Sequence, residues 1–167
     1  MLKQQLQKEL IEALKSGDQL KRLVLGGLLT AIKNKELAKR TQLSKKVSDT
    51  AELEKQSQLD DEEVLEVIAS EVKKRKDSAE QFQNGGRKDL AEKEESETKI
   101  LTAYLPQQMS EEEVRKEVRE AISGTGAKTA KEIGKVISAV MSRVKGQADG
   151  GTVSRIVKEL LSKSEIS

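Results

Sequence analysis

The 167-residue chain contains no cysteine, no histidine and no tryptophan, and its only aromatic residues are Phe82 and Tyr104. Without thiols there is no disulfide framework and no thiolate-bound metal. Without imidazoles there is no Ser-His triad, no His-liganded zinc and no neutral-pH imidazole base. So few aromatic rings also argue against binding of single strands by base stacking. These absences predict a protein with no catalytic residue, no metal and no cofactor of its own.

Long apolar runs are missing too, because no stretch approaches the roughly 20 residues that span a bilayer. The first ten residues resemble neither a secretory signal nor an Arg-rich transit peptide. We therefore expect a cytoplasmic protein with no membrane partner. The single proline, Pro106, is a candidate domain boundary.

Charged residues, by contrast, make up 36% of the chain and are nearly balanced, with 31 Lys and Arg against 29 Asp and Glu. Residues 1–109 carry 20 of each sign, whereas residues 141–163 carry five basic and two acidic groups. This mild basic bias favours contact with a phosphate backbone, or it is the ordinary solvated surface of a helix.

Helical periodicity runs through the chain, with no sustained alternation of the kind that strands show. We predict an all-α fold, with an N-terminal long-helix unit over residues 1–107 that contains an antiparallel hairpin, and a small C-terminal three-helix bundle over residues 108–167. The polar segment 41–58 is predicted to be a mobile connector or a frayed helical extension. Gly26 and Gly27 interrupt the second helix at about 1 kcal/mol each relative to Ala, which predicts close approach by a neighbouring helix.

The predicted hairpin folds about Gly85 and carries charges inside its apolar stripes. Facing positions of such an antiparallel pair sum to roughly 170, so Arg75 lies level with position 95. We therefore predict an ion pair between Arg75 and either Glu97 or Glu94. A lone charge in that seam is costly, so the pair is expected to fix the register. A catalytic carboxylate is disfavoured, because an adjacent guanidinium lowers the carboxyl pKa.

The most distinctive loop runs from residue 145 to 152 and reads KGQADGGT. Gly146 and Gly150 permit positive φ angles and close approach of the backbone. The loop ends at a predicted helix N-terminus, capped by Thr152, where backbone N–H groups can meet an anion. Arg143, Lys145, Arg155 and Lys158 flank it. The loop is either a phosphate site or an inter-helix turn with incidental charges.

Taken together, several stretches match one family in order and spacing, namely EVKKRKDS at 71–78, GRKDL at 86–90, Glu97 followed by YLPQQ at 104–108, IGKV at 133–136 and KGQADG at 145–150. The chain resembles the YqeY family, which shares its domain with the C-terminal part of GatB, the B subunit of tRNA-dependent amidotransferases. The resemblance covers nearly the whole chain except residues 41–58. Gln147 stands where the family usually has a basic residue, and Ile133 and Ile137 stand where Met is common.

The resemblance implies an all-helical protein whose C-terminal bundle helps to hold tRNA, and it also implies carbon–nitrogen ligase activity with glutamine as amide donor. An amidase, however, needs an activated Ser or Cys nucleophile. We therefore expect a non-catalytic tRNA-binding or adaptor module, with tRNA, amidotransferase subunits or another protein as partner. The alternatives are the glutamine-dependent ligase itself and a helical adaptor whose hairpin docks a protein. The expected contact surface comprises Lys135, Arg143, Lys145, Gly146, Gly150, Arg155 and Lys158.

Overall fold

A computed structural model describes residues 1–144 and 146–164, apart from the side chains of residues 130, 163 and 164. Over these residues the chain forms α-helices, one 3₁₀ turn and no strand, which confirms the predicted all-α class. The α-helices are α1 Leu2–Ser16, α2 Gln19–Leu43, α3 Thr50–Ser57, α4 Asp61–Asn84, α5 Lys88–Thr102, α6 Glu111–Thr125, α7 Ile133–Val144 and α8 Gly150–Ser164, and the 3₁₀ turn is Ala130–Glu132. None of the helices described is both long enough and apolar enough to cross a bilayer.

The chain divides into two compact units, Met1–Tyr104 and Leu105–Ser167. The predicted domain boundary after residue 107 stays a prediction, because a compact unit is not by itself an independently folding one.

Side chains cap the starts of α4 and α6. In the capping box of α4, the Asp60 carboxylate accepts from the Glu63 amide at 2.8 Å, and the Glu63 carboxylate accepts from the Asp60 amide at 3.0 Å. Ser110 and Glu113 form the same box at α6. Such caps satisfy amides that have no partner inside the helix.

In the first unit, α1 packs on α2, α4 packs on α5, and α2 contacts α3, α4 and α5. The core is aliphatic, and its fully buried members include Leu6, Leu25, Leu28, Ile32, Val64, Ile68 and Leu101. An ideal Cβ placed on Gly26 or Gly27 meets no described atom within 4 Å. The predicted close approach of a neighbouring helix to these glycines is therefore wrong for the described residues.

The segment 41–58 holds the last residues of α2 and the separate helix α3. The Asp49 carboxylate caps α3 by accepting from the Glu52 amide at 2.7 Å, and Leu53 is buried. The expectation of a connector or a frayed extension missed this helix, because one buried leucine does not produce a periodic apolar stripe.

In the second unit, α6, α7 and α8 pack on one another around a core with no aromatic residue. Its fully buried members include Val114, Val118, Val136, Val140, Val153, Ile156, Val157 and Leu161. Valine is the most frequent residue in this core.

Candidate functional site

Arg75 lies at the centre of a charged cluster between α4 and α5. Its Nε donates to Glu97 Oε2 at 3.1 Å, and its Nη1 donates to Glu71 Oε2 at 2.8 Å. Lys74 donates to the other oxygen of Glu71 at 2.8 Å. Of the two partners predicted for Arg75, Glu97 is therefore the one within hydrogen-bond distance, and no described contact joins Arg75 to Glu94. The sum of the paired positions, 172, agrees with the predicted register.

The pKa shifts in this cluster oppose a role in proton transfer. Burial raises the pKa of Glu71, but hydrogen bonds from Lys74 and Arg75 outweigh it, so the net pKa is lowered. Burial likewise lowers the pKa of Arg75, and the hydrogen bonds to Glu71 and Glu97 outweigh it and raise that pKa. Both groups are held in their charged forms, as a structural ion pair requires.

A second polar cluster joins the end of the first unit to its beginning. The Tyr104 hydroxyl donates to Glu9 Oε2 at 2.6 Å, and Lys21 Nζ lies 2.7 Å from the same oxygen. Hydrogen bonds from Lys21 and Tyr104 lower the pKa of Glu9 to about 2. Burial, together with the neighbouring carboxylate, raises the pKa of Tyr104. Sequence reasoning missed this cluster, because residues 9 and 104 carry no pattern that relates them.

In the second unit, two of the stretches that carried the family resemblance lie against each other. Gln108 Nε2 donates to the carbonyl oxygens of Pro106 and Gly146, both at 2.9 Å. The Met109 amide donates to the Gln147 carbonyl at 2.8 Å. Gly146 has a φ of 81°, a value that favours glycine. These bonds hold the segment after Pro106 on the loop between α7 and α8. Lys145, predicted to contact a phosphate, lies outside the described residues.

Asp149 caps the start of α8. Its Oδ1 accepts from the amides of Gly151 and Thr152 at 2.9 and 3.0 Å, and its Oδ2 accepts from the Thr152 hydroxyl. The expectation that Thr152 caps this helix is therefore wrong, since the capping carboxylate comes three residues earlier. A negative group already occupies the helix end at which Gly150 was expected to help bind an anion.

The predicted cations lie on the surface of α7 and α8, each arginine beside carboxylates of α6. Arg143 Nη1 is 3.5 Å from Glu120 and 3.8 Å from Glu117. Arg155 Nη2 is 2.8 Å from Glu111. Because Glu111 and Glu120 are nine residues apart, their positions are separated by about 14 Å along the axis of α6.

Two of the three predicted lysines, Lys135 and Lys158, are exposed as well. Lys135 Nζ donates to the Thr125 carbonyl at the end of α6 at 3.3 Å, and Lys158 lies on the outer surface of α8. The structure therefore distributes the four predicted cations that it describes over the unit and does not gather them around the glycine loop.

A stronger separation of charge lies in the first unit. Residues 1–46 carry eleven Lys and Arg against four Asp and Glu, whereas residues 47–104 carry nine against sixteen. Balance over residues 1–109 concealed this division. The charge difference between the two segments is nevertheless present in the sequence, and it is visible when each helix is considered separately.

An open groove of about 520 Å³ runs between α4 and α5. Charges of both signs line it, including Lys76, Glu80, Glu95 and Lys99. Among the residues that the structure describes, no group of three or more Asp, Glu, His or Cys is placed to hold a metal ion. The groove therefore has no single charge sign with which to select a ligand.

Comparison with known proteins adds a family and several relatives. A family model described as Yqey-like protein matches residues 3–161. A protein of Lachancea thermotolerans named "Altered inheritance of mitochondria protein 41, mitochondrial" is 33% identical over 102 residues, which are 61% of this chain and 46% of that protein. The Kluyveromyces lactis protein of the same name is 34% identical over 99 residues, 59% of this chain and 45% of that protein.

An uncharacterised protein of Schizosaccharomyces pombe is 48% identical over 50 residues, which are 30% of this chain and 41% of that protein. The matched part of this chain thus spans less than half the length of each of these relatives.

Proposed function

Because the chain belongs to the YqeY family over residues 3–161, we propose that it is a non-catalytic module that binds tRNA through the cations of its second unit. The observation that carries this proposal is the exposure of Arg143 and Arg155, whose side chains are 46% and 55% accessible. Lys135 and Lys158 extend the same charge over the surfaces of α7 and α8.

The exposed arginines can exchange a carboxylate partner for a phosphate, which supports this interpretation. Ion pairs between exposed groups contribute little to stability, so their disruption opposes binding only weakly. The contacts of Arg143 with Glu117 and Glu120 are long, at 3.8 and 3.5 Å. A backbone phosphodiester carries one negative charge, as a carboxylate does, and it likewise offers the guanidinium two acceptor oxygens. Arg115, by contrast, forms ion pairs with both Glu111 and Glu159 and is less accessible. It is therefore not part of the proposed tRNA-binding surface.

The glycine loop has a different role in this proposal. Asp149 accepts from the amides of Gly151 and Thr152, so these groups do not face a phosphate. Side chains of α7 and α8 make the contacts, while the loop holds those helices in place through Gly146 and Gln108.

Binding without catalysis agrees with the composition of the chain. It offers no thiol and no imidazole as nucleophile or base. The Glu71 carboxylate is held ionised by its cationic neighbours. Amide transfer is therefore assigned to other subunits, to which this module delivers tRNA. Three of the relatives are named as mitochondrial proteins. For this chain, a cytoplasmic location is part of the proposal.

The test is fluorescence anisotropy of a labelled tRNA transcript, titrated with protein at several salt concentrations. Neutralising Arg143, Arg155 and Lys158 to Gln should weaken binding about tenfold or more. It should also reduce the slope of log affinity against log salt by roughly 2 to 3, because each phosphate that is no longer neutralised lowers that slope by about 0.7 to 0.9.

The matched control neutralises three exposed lysines of α4 and α5, namely Lys73, Lys76 and Lys93. It removes the same charge and should change affinity much less. A second control replaces the basic residues Arg22, Lys33 and Arg40 of α2. The proposal is contradicted if the variant of Arg143, Arg155 and Lys158 binds tRNA with unchanged affinity. It is also contradicted if all three triple variants lose the same affinity.

A further inference from the structure

The outer face of α2 is uncharged, partly apolar and exposed. Leu20, Leu23 and Leu37 have accessibilities of 39%, 57% and 49%. With Gly27 and Thr30 they follow alternating steps of three and four residues, which place them along one side of a helix. Asn34 completes the stripe, so its six positions contain no charge.

The neighbouring helix α1 widens this face. Ile11 and Leu14 are 52% and 53% accessible. Because α1 and α2 pack as a hairpin about the turn at Gly17, facing residues have position numbers with a constant sum. Leu14 with Leu20, and Ile11 with Leu23, both sum to 34, so these four side chains lie at matching levels. Clusters of exposed aliphatic side chains of this kind mark interaction sites, whereas single ones do not.

The glycines of α2 indicate how closely a partner can approach. Glycine is among the poorest helix formers, yet Gly26 and Gly27 lie in the middle of a 25-residue helix. No described atom comes within 4 Å of a Cβ placed on either one. The lack of a side chain at Gly26 and Gly27 makes room for no described part of the chain. It leaves the backbone of α2 accessible to a helix from another molecule.

The charges of α2 that have no side-chain partner in the described structure all have one sign. The cations Lys21 and Lys39 form ion pairs with Glu9 and Glu63, and Glu36, the sole acidic residue of α2, pairs with Lys3. The cations left without a side-chain partner in the described structure are Arg22, Lys33, Lys35 and Arg40. Arg22, Lys33 and Arg40 are 11 and 7 residues apart, close to whole numbers of turns, so they form a row along one edge of the face.

We propose that this face docks an amphipathic helix of a partner protein whose apolar stripe is flanked by Asp and Glu. The exposed leucines match the stripe, the open glycines admit its backbone, and the basic row pairs with its acidic edge. A second copy of the chain fits less well, because the face of α2 offers no exposed carboxylate to the basic row of another α2. A phosphate backbone fits less well, since it gains nothing from the exposed leucines and isoleucine. The proposal is independent of tRNA binding, which concerns the other unit.

The test uses two synthetic helical peptides that share a leucine stripe, one flanked by Glu and the other by Lys. Each is labelled and titrated with the full chain, and anisotropy reports binding. The Glu-flanked peptide should bind about tenfold or more tightly than the Lys-flanked one. Replacing Arg22, Lys33 and Arg40 with Gln should weaken the Glu-flanked peptide by about tenfold or more.

A steric variant separates docking from simple charge attraction. Gly27→Leu should abolish binding of the Glu-flanked peptide without lowering the melting temperature, because the new side chain enters open space. Gly134→Leu is the matched control, since Gly134 is an equally open helical glycine in the other unit. The control triple of Lys73, Lys76 and Lys93 to Gln should leave peptide binding unchanged.

Several results would overturn the proposal. One is equal binding of the two peptides, or binding of neither. Another is peptide binding that is unaffected by Gly27→Leu. Light scattering that shows a dimer which Leu23→Ser separates would assign the face to a second copy. Binding of an RNA duplex that depends on Arg22, Lys33 and Arg40 and tolerates Gly27→Leu would assign it to RNA.

Discussion

Replacing Arg75 should destabilise the first unit more than replacing Glu97, although the two residues form one ion pair. Glu97 is 8% exposed, and Arg75 Nε is its side-chain partner in the described structure, at 3.1 Å. At that distance an effective dielectric constant of about 20 gives an attraction of about 5 kcal/mol, most of which is offset by desolvation. Arg75→Met leaves Glu97 buried without a partner, which should cost about 3 kcal/mol.

Glu97→Leu leaves Arg75 with a partner, because Glu71 Oε2 still accepts from Nη1 at 2.8 Å. The loss should be about 1.5 kcal/mol, the net contribution of one hydrogen bond to a charged group. The double variant should lie within about 1 kcal/mol of the wild type, because two apolar side chains then fill the seam. The two single effects should therefore be strongly non-additive.

Urea unfolding at pH 7 measures these differences, and Tyr104 gives a local probe. Tyr104 is the single tyrosine of a chain without tryptophan, and it lies in the first unit. Its fluorescence therefore reports on that unit alone. Arg87→Met removes an exposed pair with Asp89 and should cause no measurable change. Equal costs for Arg75→Met and Glu97→Leu, or simple addition in the double variant, would refute the reasoning.

Two further predictions concern other polar contacts. Glu9 has its pKa lowered from 4.5 to about 2, so its ionised form stabilises the fold above pH 4.5, and this contribution is lost as pH falls towards 2. Urea midpoints for wild type and Glu9→Gln should therefore differ most at neutral pH and converge in acid, and a constant difference would argue against this contact. Asp149→Ala should cost about 1 kcal/mol in thermal unfolding followed by circular dichroism, because it removes the acceptor for two amides at the start of α8. Thr152→Val should cost less, and the opposite order would exclude Asp149 as the cap.

The position of the Arg75 pair illustrates what a sequence records well. The apolar stripe of α4 is interrupted by a positive charge and that of α5 by negative charges. An antiparallel turn brings these charged positions to the same level. Helical phase and register therefore followed from spacing alone. Glu71 was overlooked although it lies four residues before Arg75 on the same helix, where acidic and basic residues regularly pair.

The surroundings of Arg143 and Arg155 illustrate the opposite case. Each arginine faces carboxylates that come from another helix, 23 to 44 residues away in sequence. The orientation of α6 against α7 and α8 decides those contacts, and local periodicity contains no information about it. The cap of α8 was ambiguous for a simpler reason, because Asp149 and Thr152 are both good capping residues and lie only three positions apart.

The side chains of the first unit have no net charge, because its basic and acidic residues are equal in number. Its positive half, α1 and α2, nevertheless packs against a negative half, α3 to α5. Such a body has a permanent electric dipole, and it rotates in the field of a charged surface before any contact is made. In dilute buffer the field extends about 30 Å at 0.01 M salt, but at physiological ionic strength it decays within about 8 Å. The rates at which this unit encounters charged partners should therefore depend steeply on salt concentration, even though its net charge predicts no salt dependence.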